Sequence, residues 1–345
     1  MKVLFLTPWY PSEKDAMIGL FVQKHAEAVR ARGVDVRVIH SQTWWETWRQ
    51  WKALQREGWM PDVVQLNVIQ KQGLLAMWLK KRYGIPYVIV EHWTGYLPEN
   101  KSVAKNGFHT RFMKRICSGA EVVMPVSPQL TQAMQALGFQ AKRLERIDNV
   151  VDDFFYEPRV KSQEPRVKTL LNITCFDEPH KNVKGLLRAA KMLSEKRQDW
   201  QLVLVGTGVD FEEVYQYAQD LDFAKGLLRW TGELTPEEVA EQMHKSDALV
   251  LSSRYETYGV VLAEAVAAGL PILSTPVGIA EEVADLIVPQ EIAQHKPGRF
   301  AEFLETILWN TDRFTDRIQN TDRFAAEAVG RKLVSIYDSC LHHDI

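Results

Sequence analysis

"LVLSSRYETYGVVLAEAVAAGLPILSTPVG", residues 249–278, holds a change of rhythm. An apolar run, Ala248 to Leu251, predicts a buried strand. A polar knot, Ser252-Ser253-Arg254-Tyr255, ends it. Glu256 and Gly259 follow, and a helical pattern starting near Tyr258 or Gly259 carries a second acid, Glu264. Strand, turn, helix and then the strand-like "PILST" make a parallel βαβ unit. The first N–H groups of that helix lack intrahelical partners and favour negative charge. A diphosphate fits there, with Gly259 permitting close approach. Glu264 lies one turn beyond Val260 on the same helix face, where it suits ribose hydroxyls. Glu256 then lies on the other side of the diphosphate, where a sugar belongs. The plainer alternative is one solvated acid at a helix start and another on a helix face.

Outward from this stretch the same alternation continues. "KVLFLT", "VDVRVIH", "DVVQLN", "YVIVEH" and "EVVMPVS" are strand candidates in the first half, with helical patterns between them. "TLLNIT", "QLVLVGTG", "LLRWTG", "ALVLSS" and "PILST" repeat the theme after residue 168. Such alternation predicts an α/β fold: two doubly wound parallel sheets, each covered on both faces, with a cleft between them. "EPRVKSQEPRVK" at 157–168, with two prolines and many charges, is the linker candidate. Its doubled E-P-R-V-K and the doubled N-T-D-R-F at 310–314 and 320–324 lack the copy number of a repeat fold. The predicted domains are 1–160 and 161–325, with 326–345 a helix that crosses back to the first domain.

Net charge is −2 over 345 residues, but residues 1–160 carry 22 Lys and Arg against 15 Asp and Glu. A basic first half beside an acidic second half points to an anionic partner for one surface, against chance segregation. Cys117, Cys175 and Cys340 are odd in number and far apart, which disfavours a disulfide framework or a zinc site and favours a reducing compartment. The apolar start is too short for a signal peptide, and no run reaches the roughly 20 apolar residues of a spanning helix. The expected location is cytoplasmic, at or near the inner face of a membrane.

"E-x-Y-G-V-V-L-A-E-A-x-A-A-G-L-P-I-L-S-T" resembles the signature of the group-1 (family four) retaining glycosyltransferases of GT-B fold. The resemblance runs in order along most of the chain. "LFLTPWYPSEKDAMIGLFVQKHAEAVRARGVDVRVI" is similar to the family's first strand, loop, glycine and helix. "PDVVQLN" and "GIPYVIVEH" are similar to its third and fourth strands. "VVMPVSPQLTQAMQALG" and "RIDNVVD" match the close of the first domain. "TCFDEPHKNVKGLLRAAKML" and "LVLVGTG" match the opening of the second.

The resemblance implies an acceptor-binding first domain and a second domain that binds a nucleotide diphosphate sugar. Glu256 would contact donor-sugar hydroxyls and Glu264 the nucleotide ribose. The backbone of Thr257, Tyr258, Gly259 and Val260 would cradle the diphosphate, with Gly19 approaching it from the first domain. Lys181 would neutralise the leaving diphosphate, and His92 would touch the transferred sugar. Glu233 and Leu234 would read the base through backbone groups. Their alternatives are a loop glycine, an exposed lysine at a helix start and a structural histidine.

The sequence departs from the family where an arginine usually stands six residues before the lysine: that position is Cys175, which supplies no fixed cation. His180 or Lys184 are candidates to compensate. Val150 in "NVVD" and the loop "GIAEEVAD" depart further, where glycine is usual. The implied reaction moves a hexose-type sugar, with retention, to a glycan or polyprenyl-linked acceptor, without a metal or other cofactor. Nucleic acid is not an expected partner. The alternative is a non-catalytic binding subunit with this fold.

The D-x-D at Asp220–Asp222 lies in a predicted amphipathic helix and reads as a solvated face rather than a metal site. Gly206-Thr-Gly208 follows a strand but lacks the third glycine of a dinucleotide fingerprint. "TWWETWRQWKALQREGW" puts Trp44, Trp48 and Trp51 on one helical face, with Leu54 roughly continuing it. That stripe is either core or an aromatic surface for sugars or lipid. Lys101, Lys105, Arg111, Lys114 and Arg115 form either a solvated helix face or a contact with an anionic membrane.

Overall fold

The computed structural model describes residues 1–12, 17–100, 102, 107–158, 167–309 and 321–342. The chain forms two compact units, Met1–Val150 with Arg323–Ile345, and Val151–Asp322. These borders precede the sequence-based ones at 160 and 325. The cause is local packing: Phe155, in the short turn Asp153–Tyr156, is buried in the second unit, while Phe324 is buried in the first. Most of the linker candidate and the first N-T-D-R-F lie outside the described residues, as do Lys101 and Lys105.

The first unit is a parallel sheet of β1 (Lys2–Thr7), β2 (Asp35–His40), β3 (Val63–Asn67), β4 (Tyr87–Glu91) and β5 (Val122–Pro125), in the order β2-β1-β3-β4-β5. Strands β3, β4 and β5 are buried along their whole length, as continuous apolar runs in a two-sided sheet should be. Around them run α1 (Leu20–Arg30), α2 (Trp44–Arg56), α3 (Gly73–Tyr83), α4 (Gly107–Gly119) and α5 (Pro128–Ala136). Thr43 caps α2 by accepting from Glu46 N–H, and Ser127 caps α5 by accepting from Leu130 N–H.

The second unit is a parallel sheet of β6 (Lys168–Ile173), β7 (Trp200–Val205), β8 (Leu228–Gly232), β9 (Ala248–Leu251), β10 (Ile272–Ser274) and β11 (Leu286–Ile287). Its order is β11-β10-β9-β6-β7-β8. The helices are α6 (Glu178–Lys181), α7 (Val183–Ser194), α8 (Phe211–Asp220), α9 (Pro236–Lys245), α10 (Val260–Ala267), α11 (Ala280–Val283), α12 (Gln290–His295) and α13 (Pro297–Trp309). Leu186, Leu187, Phe300 and Leu304 fill the layer between α7, α13 and the sheet. The last helix, α14 (Ala326–Leu341), returns to the first unit and lies on α1, and its Tyr337 hydroxyl donates to Gln65 of β3.

Both sheets are doubly wound. The strand order reverses between β1 and β3 in the first unit and between β6 and β9 in the second. In such sheets ligands bind outside the carboxyl ends of the strands at the reversal. The loops that leave β1, β3, β6 and β9 are therefore where chemistry is expected.

Candidate functional site

In the second unit the loops after β6 and β9 meet. Lys181, at the end of α6, donates from Nζ to Glu256 Oε1 at 2.6 Å, and both side chains are nearly buried. Ser253 Oγ donates to the same Oε1 at 2.8 Å. His180 Nε2 lies 3.6 Å from Oε2, and its ring stacks on Tyr255 at 4.2 Å. Burial alone would raise the Glu256 pKa, but the Lys181 charge and His180 outweigh it and hold the carboxyl at about 2. Burial likewise lowers the Lys181 pKa, and the charge of Glu256 reverses the direction, so the ammonium is held charged.

A dense frame sets this pair. Arg254 N–H donates to His180 O at 2.8 Å, and its guanidinium bonds Glu178 O and Asn182 Oδ1. Ser252 Oγ donates to Lys181 O at 3.0 Å. Asn182 takes the left-handed conformation, φ 52°, that separates α6 from α7 and aims Lys181 toward β9. The loop Glu256–Gly259 rests on the residues after β10. Ile279 N–H donates to Tyr258 O at 3.0 Å, and a Cβ on Gly278, φ 56°, would stand 2.1 Å from that oxygen. Gly278 is thus the glycine this contact requires.

Gly259, φ 78°, is the N-cap of α10, one residue before the first helical position. Val260 is exposed, and Glu264 is partly exposed one turn on. Thr257 is partly exposed and Tyr258 is buried. Glu233 and Leu234 follow β8 and lead into the capping box of Thr235 and Glu238 on α9. Cys175 is an exposed free thiol just beyond β6. Of the two candidate compensators, His180 is at the glutamate, whereas the Lys184 ammonium bonds Glu213 on α8.

In the first unit His92 follows β4 and is buried. Its ring packs on Phe21 of α1 at 4.0 Å and near His25 at 5.9 Å. Burial, helped by His25, holds the His92 pKa well below the ordinary value, so the ring is neutral. Its Nε2 is buried and has no hydrogen-bond partner. The preceding Glu91 is fully buried. Burial raises its pKa, and hydrogen bonds from Ile69, Trp93, Tyr96 and His92 act against that rise. Gly19 is the N-cap of α1, with φ 71°. A Cβ there would lie 2.3 Å from Trp9 C and 2.6 Å from Tyr10 N, so the β1–α1 turn itself demands glycine.

Two family models divide the chain. "Glycosyl transferase 4-like domain" matches residues 23–149, and "Glycosyl transferases group 1" matches residues 164–323. The chain belongs to the group 1 glycosyltransferases. It is 31% identical over 172 residues to an N-acetyl-alpha-D-glucosaminyl L-malate synthase of Bacillus anthracis, covering 48% of this chain and 44% of that one. It is 26% identical over 214 residues to a phosphatidyl-myo-inositol mannosyltransferase of Mycolicibacterium smegmatis, covering 60% and 54%. The chain thus spans about half the length of the curated relatives it matches. Its fold is similar to that of Anabaena HepE, solved with UDP and glucose, at a TM-score of 0.73 and 16% identity over 98% of this chain and 100% of that one. The fold is GT-B, built from two parallel-sheet α/β domains.

Several features of this group 1 glycosyltransferase differ from the sequence reading. The D-x-D does not lie within a helix: α8 ends at Asp220, and Asp222 takes φ 49° in the turn beyond. Both aspartates are exposed. Gly206-Thr-Gly208 is a packing loop, in which Phe176 N–H donates to Thr207 O at 3.0 Å. The tryptophan stripe divides: Trp51 is fully buried, while Trp44 and Trp48 stack at 5.7 Å and Trp48 meets Trp78 edge-on. Trp45, 78% exposed, stands apart from the core. Sequence reasoning missed the roles of Ser253, Arg254 and Asn182: Arg254 and Asn182 bond each other from segments some 70 residues apart, while Ser253 bonds Glu256 within its own loop. The cluster Ser252-Ser253-Arg254 beside Glu256 signalled the first two, and nothing local signalled Asn182.

Proposed function

We propose that this chain is a retaining glycosyltransferase that moves a hexose-type sugar from a nucleotide diphosphate donor to a glycan or polyprenyl-linked acceptor. The observation that carries this reading is the Lys181–Glu256 pair at the strand-order reversal of the second unit, beside the α10 N-terminus. An ionised, buried carboxylate accepts hydrogen bonds and does not act as an acid near neutral pH. Glu256 therefore holds donor-sugar hydroxyls. The Lys181 ammonium carries three donors, and the Glu256 bond uses one of them. The others serve the leaving diphosphate, where negative charge grows as the bond to the sugar breaks. The backbone from Thr257 to Val260 holds the diphosphate, Glu264 the ribose, and the Glu233–Leu234 backbone the base.

In the first unit Gly19 is assigned to the diphosphate and His92 to the transferred sugar. His92 is neutral and its Nε2 is unengaged, which suits a hydrogen bond to a hydroxyl. The acceptor oxygen bonds to the anomeric carbon on the face the diphosphate leaves. The electron pair of the broken bond goes to the phosphate oxygen, which takes the acceptor's proton. No side-chain nucleophile and no metal or other cofactor is needed.

The mannosyltransferase named for phosphatidyl-myo-inositol supports a lipid-linked acceptor. Cell-surface polysaccharide or glycolipid synthesis at the inner face of a membrane follows from that choice. Among the described residues no helix is long and apolar enough to cross a membrane. Peripheral contact with anionic lipid is supported by exposed Trp45, the Trp44–Trp48 stack with Lys52 over it, and Arg111 and Arg115 on α4.

Thermal unfolding against UDP, GDP, ADP and CMP tests donor binding, and nucleotide release with acceptor tests transfer. One nucleotide at about 100 times its Kd adds about 2.7 kcal/mol. Full transfer by Glu256→Gln would remove its assigned role. The second reading, a binding subunit that does not turn over donor, is favoured by Cys175, which puts an exposed thiol where the family usually carries a cation. Binding without release would select it.

A further inference from the structure

We infer that Glu91 is a positioning residue for His92, joining the loops that leave β3 and β4 in the first unit through one buried carboxylate. The inference rests on the transfer reading above and deepens it. Glu91 Oε1 accepts the backbone N–H of His92 at 2.9 Å and of Trp93 at 3.0 Å. Its Oε2 accepts Ile69 N–H at 2.9 Å and the Tyr96 hydroxyl at 2.9 Å. Ile69 belongs to the turn after β3, beside Val68 at φ 68°, and Tyr96 closes the short turn Thr94–Tyr96. One side chain therefore sets the exits of β3 and β4 against each other. His92 is held at its own N–H by this anchor, while Phe21 holds its ring. The result is a fixed imidazole whose buried Nε2 is left without a partner.

All four groups are donors, and the two oxygens of the Glu91 carboxyl accept them. Glutamine is nearly the same shape but turns an NH2 toward two of those donors. That forces the loop to shift, and displacement of a reacting contact by about 1 Å costs on the order of 100-fold in rate. A purely structural glutamate would lower stability and leave the rate of folded protein alone.

The test compares the full chain with Glu91→Gln and Tyr96→Phe. Three quantities are read: kcat and donor KM from nucleotide release, the His92 ring nitrogens by long-range 1H–15N NMR, and the thermal shift with donor nucleotide. The expected result for Glu91→Gln is a kcat about 100-fold lower, donor KM within about twofold, an unchanged nucleotide shift and displaced His92 ring signals. Tyr96→Phe, which removes one of the four bonds, gives a smaller loss in the same direction. Unmoved ring signals in folded Glu91→Gln overturn the proposal, as does a kcat that falls only with the folded fraction. If Glu91→Gln does not fold, Tyr96→Phe with unmoved ring signals overturns it. Absence of turnover in the parent chain defeats the transfer reading instead, and the ring signals alone then decide the role of Glu91.

Discussion

Glu91 and Glu256 are both buried glutamates at the carboxyl ends of parallel strands, and they are held in opposite ways. Glu91 takes four neutral donors and, among the described residues, no cation, and burial keeps its pKa raised. Glu256 takes an ammonium at 2.6 Å and a hydroxyl at 2.8 Å, and its pKa falls to about 2. Hydrogen bonds from neutral groups orient a carboxylate but only partly offset lost hydration, whereas a full opposite charge at contact reverses the shift. The first arrangement fixes a backbone. The second keeps a charged pair ready to exchange partners with a ligand.

The contrast breaks most sharply at the ion pair. Glu256→Gln leaves the Lys181 ammonium buried without its counter-charge and should lower stability by about 3–5 kcal/mol in urea unfolding. A loss under 1 kcal/mol would mean the pair is better hydrated than its burial suggests. The pH dependence should then have opposite signs at the two glutamates. The lowered Glu256 pKa contributes about 3 kcal/mol that is complete above its ordinary value of 4.5 and is lost as pH falls toward 2. The raised Glu91 pKa contributes stability that is full below 4.5 and is lost as pH rises through its folded value. Difference curves of the parent chain against Glu256→Gln and Glu91→Gln, from pH 2 to 7, should therefore slope in opposite directions.

Gly19→Ala sharpens the comparison from the turn that leads to Phe21, whose ring packs on His92. It forces a Cβ into φ 71° and against the Trp9 carbonyl, at a cost of about 2–3 kcal/mol in thermal or urea unfolding. In the second unit, Cys175→Arg supplies the absent cation beside Lys181. Donor affinity should rise by about 1.5–3 kcal/mol in calorimetric titration, and no gain would mean His180 already fills that role. The smallest effect belongs to Trp45→Ala, within about 0.5 kcal/mol on stability because the ring is 78% exposed. Its flotation with anionic liposomes should nonetheless weaken, and unchanged flotation would remove Trp45 from any membrane contact.

The two sites were unequally legible. The α10 start could be read because Glu256, Gly259 and Glu264 are close in sequence, and local spacing carries the pattern. Arg254 and Asn182 could not, since each acts on the other's loop across a parallel pairing of β6 and β9 that no local period reveals. His92 was legible as the residue after a strand, and its neighbours Phe21 and His25 were not. Trp51 and Trp45 look alike in sequence, yet one is core and the other surface, because α2 turns only one face inward.

The sequence by itself determined two parallel α/β sheets, the helix start after β9, and the residues gathered around it, because hydrophobic period and glycine placement are local properties of a chain. Only the tertiary structure decided that Lys181 meets Glu256, that Glu91 joins the exits of β3 and β4, and that Gly19 must be glycine for its own turn. Those facts depend on distances between atoms in space that no local period of the chain encodes, and burial and charge pairing are set by those distances.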